Sequence, residues 1–206
     1  MARRSLFRKD LAAEHALAEF LDEHLYPQHA ERAVRLDSMA DQLAGKDLLL
    51  DWGGMKGLVV DEKATLHYLN RNLPTFAFEL GYLKDGDWRQ GWLLDPHKQT
   101  AYYMLLWPNA KVDRDPSKED FTEVEAMLIS RRAILNGLKR QGWDGERLME
   151  LEAEVRESRI EGKLDLGLDW MSANRNTVLS EQPVNIVIRK TWLSALAVWH
   201  GAVRCD

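Results

Sequence analysis

The stretch from Lys46 to Ala64, KDLLLDWGGMKGLVVDEKA, carries the residues best suited to chemistry. An apolar run that starts at Asp47 reaches Gly53-Gly54, and a second apolar run then ends in Asp61-Glu62-Lys63. Two glycines between two apolar runs indicate a β-hairpin. Two carboxylates on adjacent strands repel each other unless a cation joins them, so this hairpin is suited to a metal-dependent phosphodiesterase site.

The strand period decides which of these side chains share a face. Successive strand residues point to opposite faces of a sheet. Asp61 and Lys63 therefore share one face, while Glu62 points to the other. The carboxylate and the ammonium group can serve the same site.

The register of the hairpin decides whether Asp47 joins them. A five-residue loop from Trp52 to Lys56 would place Asp47 directly across from Asp61. A two-residue turn at Gly53-Gly54 would shift the pairing by one residue and put the two aspartates on opposite faces. The hypothesis of a shared site therefore requires the longer loop, or a bulge of equal effect.

Mg²⁺, or Mn²⁺ in its place, is the cation expected at such a site, because it prefers carboxylate oxygens, waters and substrate phosphate as ligands. Asp47 and Asp61 are the predicted ligands. Lys63 would orient the attacking water and stabilise the negative charge that develops on the phosphate. Glu14 would supply a further carboxylate if the helix that carries it packs against the hairpin.

The elements that must position these residues follow from hydrophobic periodicity. The spacing predicts a first helix over residues 10–25, with Glu14 on its apolar stripe, and a short helix over 38–43. Five closely spaced strand candidates predict an antiparallel meander. Those strands cover residues 46–51, 57–64, 75–83, 88–94 and 101–107.

The second half of the chain predicts helices and one strand. Ser117 is placed to cap a long helix through Gln141, with Glu near its start and Arg and Lys near its end. Further elements are expected as a helix over 145–157, a buried strand over 183–188 and a helix over 190–199. The predicted fold is α/β, with a mixed sheet flanked by helices in one domain over residues 1–206, and helical additions around 117–181.

The pattern of Asp47 followed by Asp61-x-Lys63 resembles the PD-(D/E)XK nuclease superfamily. The resemblance implies a restriction-endonuclease-like mixed sheet: a helix, an antiparallel strand meander, a helix and a further strand. It also implies metal-dependent nuclease activity, with Glu14 as the acidic residue of the first helix and Gln42 as a glutamine near the site. Lys46 stands where the superfamily name has proline.

Simpler interpretations exist for each candidate. Asp61 and Lys63 could form ion pairs on a solvated strand face, which contribute little to stability. Glu79 lies in an otherwise apolar strand and could line the same site or face solvent. The aromatic residues between 88 and 107 are more often core than base-stacking groups.

Composition narrows the class of protein. The formal net charge of −5 gives no overall attraction to nucleic acid, so contact with it requires local patches. Cys205 is the only cysteine, which excludes an intrachain disulfide. No apolar run is long enough for a membrane span, so a cytoplasmic protein without a membrane partner is expected.

Two functions are consistent with these features. The first is a Mg²⁺-dependent nuclease with nucleic acid, expected to be DNA, as substrate. The second is a non-catalytic restriction-endonuclease-like module that binds or assembles with a protein partner. The oligomeric state is open under both.

Overall fold

The computed structural model describes residues 4–158 and 161–205, with the side chains of residues 4–10 outside that description. Its contacts divide the chain into two compact units. The first unit contains residues 4–73, 100–129 and 198–205, and the second contains residues 74–99, 130–158 and 161–197. Each unit has its own sheet, so the fold class is mixed α/β.

The described chain alternates between helices and strands. The helices are α1 (Arg4–His24), α2 (Tyr26–His29), α3 (Met39–Leu43), α4 (Arg131–Arg140), α5 (Gly145–Glu157) and α6 (Lys190–Ser194). The strands are β1 (Ala30–Arg35), β2 (Leu48–Trp52), β3 (Met55–Ala64), β4 (Thr75–Lys84), β5 (Asp87–Gln90), β6 (Tyr102–Ala110), β7 (Phe121–Ser130), β8 (Gly162–Asp165), β9 (Met171–Arg175), β10 (Val184–Arg189) and β11 (Trp199–Arg204).

The first unit is built on a six-stranded sheet in the order β1-β2-β3-β6-β7-β11. Strands β1, β2 and β3 pair antiparallel, whereas β3 and β6 pair parallel from Val60↔Tyr102 to Ala64↔Leu106. The sheet is therefore mixed. Its core joins one stripe of α1 and α2 to apolar residues of the strands. That core includes Leu17, Phe20, Leu21, Leu25, Leu48, Leu50, Val60, Met104, Leu106, Val124 and Leu128.

The second unit is built on an antiparallel sheet in the order β5-β4-β10-β9-β8. Its β4–β5 hairpin turns at Asp85 and Gly86, which both have positive φ, as a tight Asp-Gly turn requires. Helix α5 contacts β4, β9 and β10, and it buries Leu148, Leu151 and Val155 at helical spacing.

Several predicted elements are confirmed. Helix α1 covers the predicted span over 10–25 except for its last residue, and it begins earlier, at Arg4. Ser38 caps α3 by accepting a hydrogen bond from the N–H of Asp41. Helix α5 has the predicted bounds, and β10 covers the predicted buried strand. These elements have strong local signals, either an apolar period or a cap.

The prediction that all five strands form one antiparallel meander is wrong. The strands exist, but β4 and β5 belong to the sheet of the second unit, and β3 pairs in parallel with β6. Turn residues specify a local hairpin, whereas the choice between two sheets depends on contacts between residues distant in sequence. The restriction-endonuclease-like arrangement of the sheet stays a prediction.

The prediction of a long helix from Ser117 to Gln141 is wrong for the first half of that segment. Residues Phe121–Ser130 form β7, an inner strand between β6 and β11, and only Arg131–Arg140 is helical. The β-branched and aromatic residues of β7 pack in the sheet, and this packing stabilises the strand more than the charge order stabilises a helix. The predicted helix over 190–199 likewise ends at Ser194, before β11.

None of the described helices combines the length and the apolar character needed to span a membrane.

Candidate metal and catalytic site

The β2–β3 hairpin has the register that a shared site requires. Leu48 pairs with Val60 and Leu50 pairs with Leu58, so continuing this register by one residue places Asp47 across from Asp61. Residues directly opposite in an antiparallel pair share a face. Asp47 itself lies one residue outside the paired strands, and the charge of Asp61 acts on its carboxylate.

The loop that produces this register differs from the preferred five-residue loop. Trp52 pairs with Met55 around a two-residue turn, in which Gly53 and Gly54 both have positive φ. The register shifts between Leu50 and Trp52, which marks a bulge. The hairpin therefore has the two-residue turn at Gly53-Gly54, and the bulge shifts the register back to the one that the five-residue loop would have given.

The bulge has its own polar support. The N–H of Gly57 donates to Oδ1 of Asp51 at 2.6 Å. Gly57 has a φ of +62°, which a residue with a Cβ adopts only with strain. A glycine and an aspartate outside the acidic cluster thus help to set the register of the hairpin.

Asp47 lies just before β2 and is held at three points. Its N–H donates to the carbonyl of Val60 at 2.9 Å, and its carbonyl accepts from the N–H of Leu36 at 2.8 Å. Its Oδ2 accepts from the N–H of Glu62 at 2.7 Å. Both neighbouring strands therefore fix the position of this residue and of its carboxylate.

Asp61 is a buried carboxylate, with only 2% of the residue exposed. The Nζ of Lys63 donates to its Oδ1 at 2.5 Å, and the lysine side chain keeps 30% of its surface exposed. A buried charge needs a partner, and Lys63 supplies one. This pair confirms that Asp61 and Lys63 lie on the same face of β3.

The electrostatics of the cluster reflect its two opposed carboxylates. Burial and then the negative charge of Asp61 raise the pKa of Asp47 from 3.8 to about 7, although Lys63 and the Glu62 N–H act in the opposite direction. The Asp47 carboxyl group therefore keeps its proton to a higher pH than an ordinary aspartate does. A divalent cation between the two groups would remove the cause of this repulsion.

Lys63 stays cationic in this environment. Burial by itself lowers the pKa of Lys63, but the charges of Asp61 and Asp47 and the hydrogen bond to Asp61 raise it above the ordinary lysine value. The charge of Glu14 adds to this effect. Glu14 itself is exposed on α1.

The other predicted residues are less closely tied to the site. Gln42 lies in α3 with an exposed side chain. Glu79 is half-buried on β4, opposite Asn185, and belongs to the second unit. The structure brings together Asp47, Asp61 and Lys63, with Glu14 acting on the charge of Lys63.

Glu62 faces away from this cluster, as predicted, into a network that the sequence did not predict. Its two carboxylate oxygens accept from the hydroxyl of Tyr26 and from Nη1 of Arg35, the latter at 2.5 Å. Arg35 also donates to Asp22 and, at 3.0 Å, to the carbonyl of Ala18. A charged residue on the apolar face of a strand required such partners, and that was the available signal.

The donors of the cluster fit Mg²⁺ or Mn²⁺. Asp47 and Asp61 offer carboxylate oxygens, which hard divalent cations prefer, and their mutual repulsion favours a shared cation. Two carboxylates would leave further positions on such a cation for water and a phosphate oxygen. Among the described side chains, no group of three or more His, Cys, Asp or Glu residues is arranged to hold a metal.

Comparison of the chain with protein-family profiles, with curated proteins and with solved structures finds no match in any of the three.

Proposed function

We propose that the protein is a metal-dependent nuclease that hydrolyses phosphodiester bonds in nucleic acid, with DNA as the expected substrate. The observation that supports it best is the opposition of Asp47 and Asp61 across one hairpin, with Lys63 bonded to Asp61. Two carboxylates that repel each other across a hairpin lower the stability of the folded protein. A cation-binding role explains why both are present.

Each residue has a distinct role in this proposal. Asp47 and Asp61 hold Mg²⁺ or Mn²⁺, which when bound lowers the pKa of water and neutralises charge on the phosphate. Lys63 presents an ammonium group fixed by Asp61 at 2.5 Å, and that group orients the attacking water and stabilises the charge of the transition state. Glu14 contributes negative charge at the edge of the site.

The resemblance to the PD-(D/E)XK superfamily is part of this proposal. The hairpin carries an aspartate before one strand and Asp61-x-Lys63 on its antiparallel neighbour, after a first helix that bears Glu14. The parallel pairing of β3 with β6 and the second sheet differ from the antiparallel strand meander that the resemblance implies.

A cleavage assay tests the proposal. The wild-type protein is incubated with supercoiled plasmid, linear duplex, single-stranded DNA and RNA, in Mg²⁺, in Mn²⁺ or in EDTA. Cleavage should require the cation and should disappear in Asp47→Asn and Asp61→Asn. Asp51→Asn is the matched control, because Asp51 lies on the same hairpin and its replacement by asparagine keeps the Oδ1 atom that accepts the hydrogen bond from the Gly57 N–H. Equal cleavage by all four proteins would refute the proposal.

The alternative is a non-catalytic module that acts through a protein partner. The burial of Asp61 and its closed ion pair with Lys63 favour it, because such a pair can be structural. A cation that binds the folded state alone raises the melting temperature. A rise with Mn²⁺ in wild type, absent in Asp61→Asn, supports the nuclease, and no response in either protein supports the module.

A further inference from the structure

We propose that the ion pair between Arg35 and Glu62, named here the Arg35–Glu62 clamp, is a positioning device for the Asp47 carboxylate. This inference rests on the proposed function, because it assigns a role at the same site. Glu62 and Arg35 are positioning residues, since their side chains act from the face of β3 opposite to Asp61 and Lys63.

The clamp spans the strand that Asp47 precedes. Arg35 ends β1, Glu62 lies near the end of β3, and β2 runs between these two strands. Nη1 of Arg35 lies 2.5 Å from Oε2 of Glu62, so the pair joins β1 to β3 across β2. The separation of β1 and β3 is thereby fixed beside the start of β2.

The main-chain groups that hold Asp47 belong to the clamp or adjoin it. The N–H of Glu62 bonds Oδ2 of Asp47 at 2.7 Å, and the N–H of Leu36, next to Arg35, bonds the Asp47 carbonyl at 2.8 Å. A displacement of either clamp residue therefore moves a group that touches Asp47 directly. The clamp transmits its geometry through two hydrogen bonds.

The clamp is itself rigidly held. Tyr26 is 3% exposed and donates its hydroxyl to Glu62, while the Glu62 side chain is 12% exposed. Burial and the charge of Glu62 raise the pKa of Tyr26 well above its usual value, so the hydroxyl keeps the proton it donates. Asp22 and the Ala18 carbonyl occupy further donors of Arg35.

An apolar pair could fill the same space at a lower cost of desolvation. What an ion pair adds is direction, because charge-assisted hydrogen bonds constrain both distance and angle. Metal ligands need this constraint, and removing the groups that orient them commonly weakens metal binding by ~10- to 100-fold. The clamp provides that orientation for Asp47.

Three variants test the clamp. Glu62→Gln removes the charge and keeps the shape, and Arg35→Met/Glu62→Met removes both charges together. Tyr26→Phe removes one hydrogen bond and keeps the packing, so it retains the fold if the other two do not. The control is Arg204→Met/Glu123→Met, which removes a cross-strand ion pair of the same sheet at β7 and β11.

Two readouts are used well below each variant's melting temperature. The first, without metal, is hydrogen exchange of the residue 62 amide, which should become at least about tenfold faster in the clamp variants relative to other β3 amides. The second is the Mn²⁺ dissociation constant, which should rise about tenfold or more. Tyr26→Phe should change both in the same direction to a smaller extent.

The outcomes separate the two proposals. Unchanged amide exchange and unchanged Mn²⁺ affinity in every folded clamp variant would overturn the clamp. The same losses in the Arg204→Met/Glu123→Met control would also overturn it, because the effect would then be general. If wild type binds no Mn²⁺, the nuclease proposal fails, and the amide exchange alone still decides whether the clamp positions Asp47.

Discussion

The N–H of Glu62 donates a 2.7 Å hydrogen bond to the carboxylate of Asp47, while the Glu62 side chain points to the opposite face of the sheet. One residue thus links two polar clusters that lie on different faces of β3. The first cluster contains Asp47, Asp61 and Lys63, and the second contains Tyr26 and Arg35. Changes in either cluster are expected to affect the other through this bond.

Replacement of Lys63 by alanine is expected to abolish metal-dependent cleavage, with a loss of at least about 100-fold, because the charge that faces the transition state is removed. The same change leaves Asp61 as a buried carboxylate without its ammonium partner, so the melting temperature should fall. Cleavage rates at a temperature where the variant is folded separate the two effects.

Lys63→Arg is the matched control, because it keeps the positive charge and the ion pair with Asp61. It should restore most of the stability and part of the activity. Full activity in folded Lys63→Ala would exclude a catalytic role for the lysine.

Asp47→Asn is expected to stabilise the protein at alkaline pH. The folded protein keeps the Asp47 proton up to about pH 7, whereas the unfolded chain releases it near the ordinary value of 3.8. The folded state therefore binds more protons across this window, and the free energy of unfolding falls as pH rises from about 4 to about 7. Asparagine removes that penalty and still accepts the Glu62 N–H.

The expected gain is about 1 to 3 kcal/mol at pH 8, discounted for the water-exposed part of the side chain, and close to zero at pH 4. Urea unfolding at both pH values measures it. Asp51→Asn should show no gain that depends on pH. A loss of stability in Asp47→Asn at pH 8 would contradict the electrostatic account.

The affinity for Mn²⁺ should rise with pH up to neutrality. Asp47 must lose its proton to become a ligand, and its pKa is about 7. The dissociation constant should be roughly tenfold larger at pH 6 than at pH 8. Titration calorimetry at the two values measures it, and an affinity that does not change between them would exclude Asp47 as a ligand.

Gly57→Ala is expected to cost about 1 to 2 kcal/mol, because its φ of +62° strains any residue with a Cβ, although no atom of the described residues crowds the position. Gly145→Ala is the matched control. It is equally uncrowded, has no positive φ and lies in α5, so it should be neutral or slightly stabilising. Equal effects of the two changes on the melting temperature would contradict the assignment of strain.

The sequence predicted the parts of the site that depend on local geometry. The strand period placed Asp61 with Lys63 and away from Glu62, and the hairpin pattern placed Asp47 across from Asp61 under a stated condition. The bulge that fulfils this condition could not be chosen in advance. It depends on burial of Leu48, Leu50 and Val60 against α1, which fixes the register over the preference of the turn.

The parts that failed depend on partners distant in sequence. The segment Phe121–Ser130 was assigned to a helix because its charges fit a helix dipole, but it is an inner strand that pairs with β11, about 70 to 80 residues later. The partners of Glu62 were missed for the same reason, because Arg35 is 27 residues away. Local sequence patterns indicate that a buried charge needs a partner, but they do not identify the partner.

The order in which the chain visits its two sheets limits how the protein can be divided. Strands β4 and β10 pair with each other, as in Phe78↔Ile186, yet they come from two separate insertions into the first unit. Neither insertion carries a complete sheet. We therefore expect that truncation at any single point will not yield an autonomously folding fragment that retains the acidic hairpin, and that dissection of this molecule requires circular permutation or split-chain complementation.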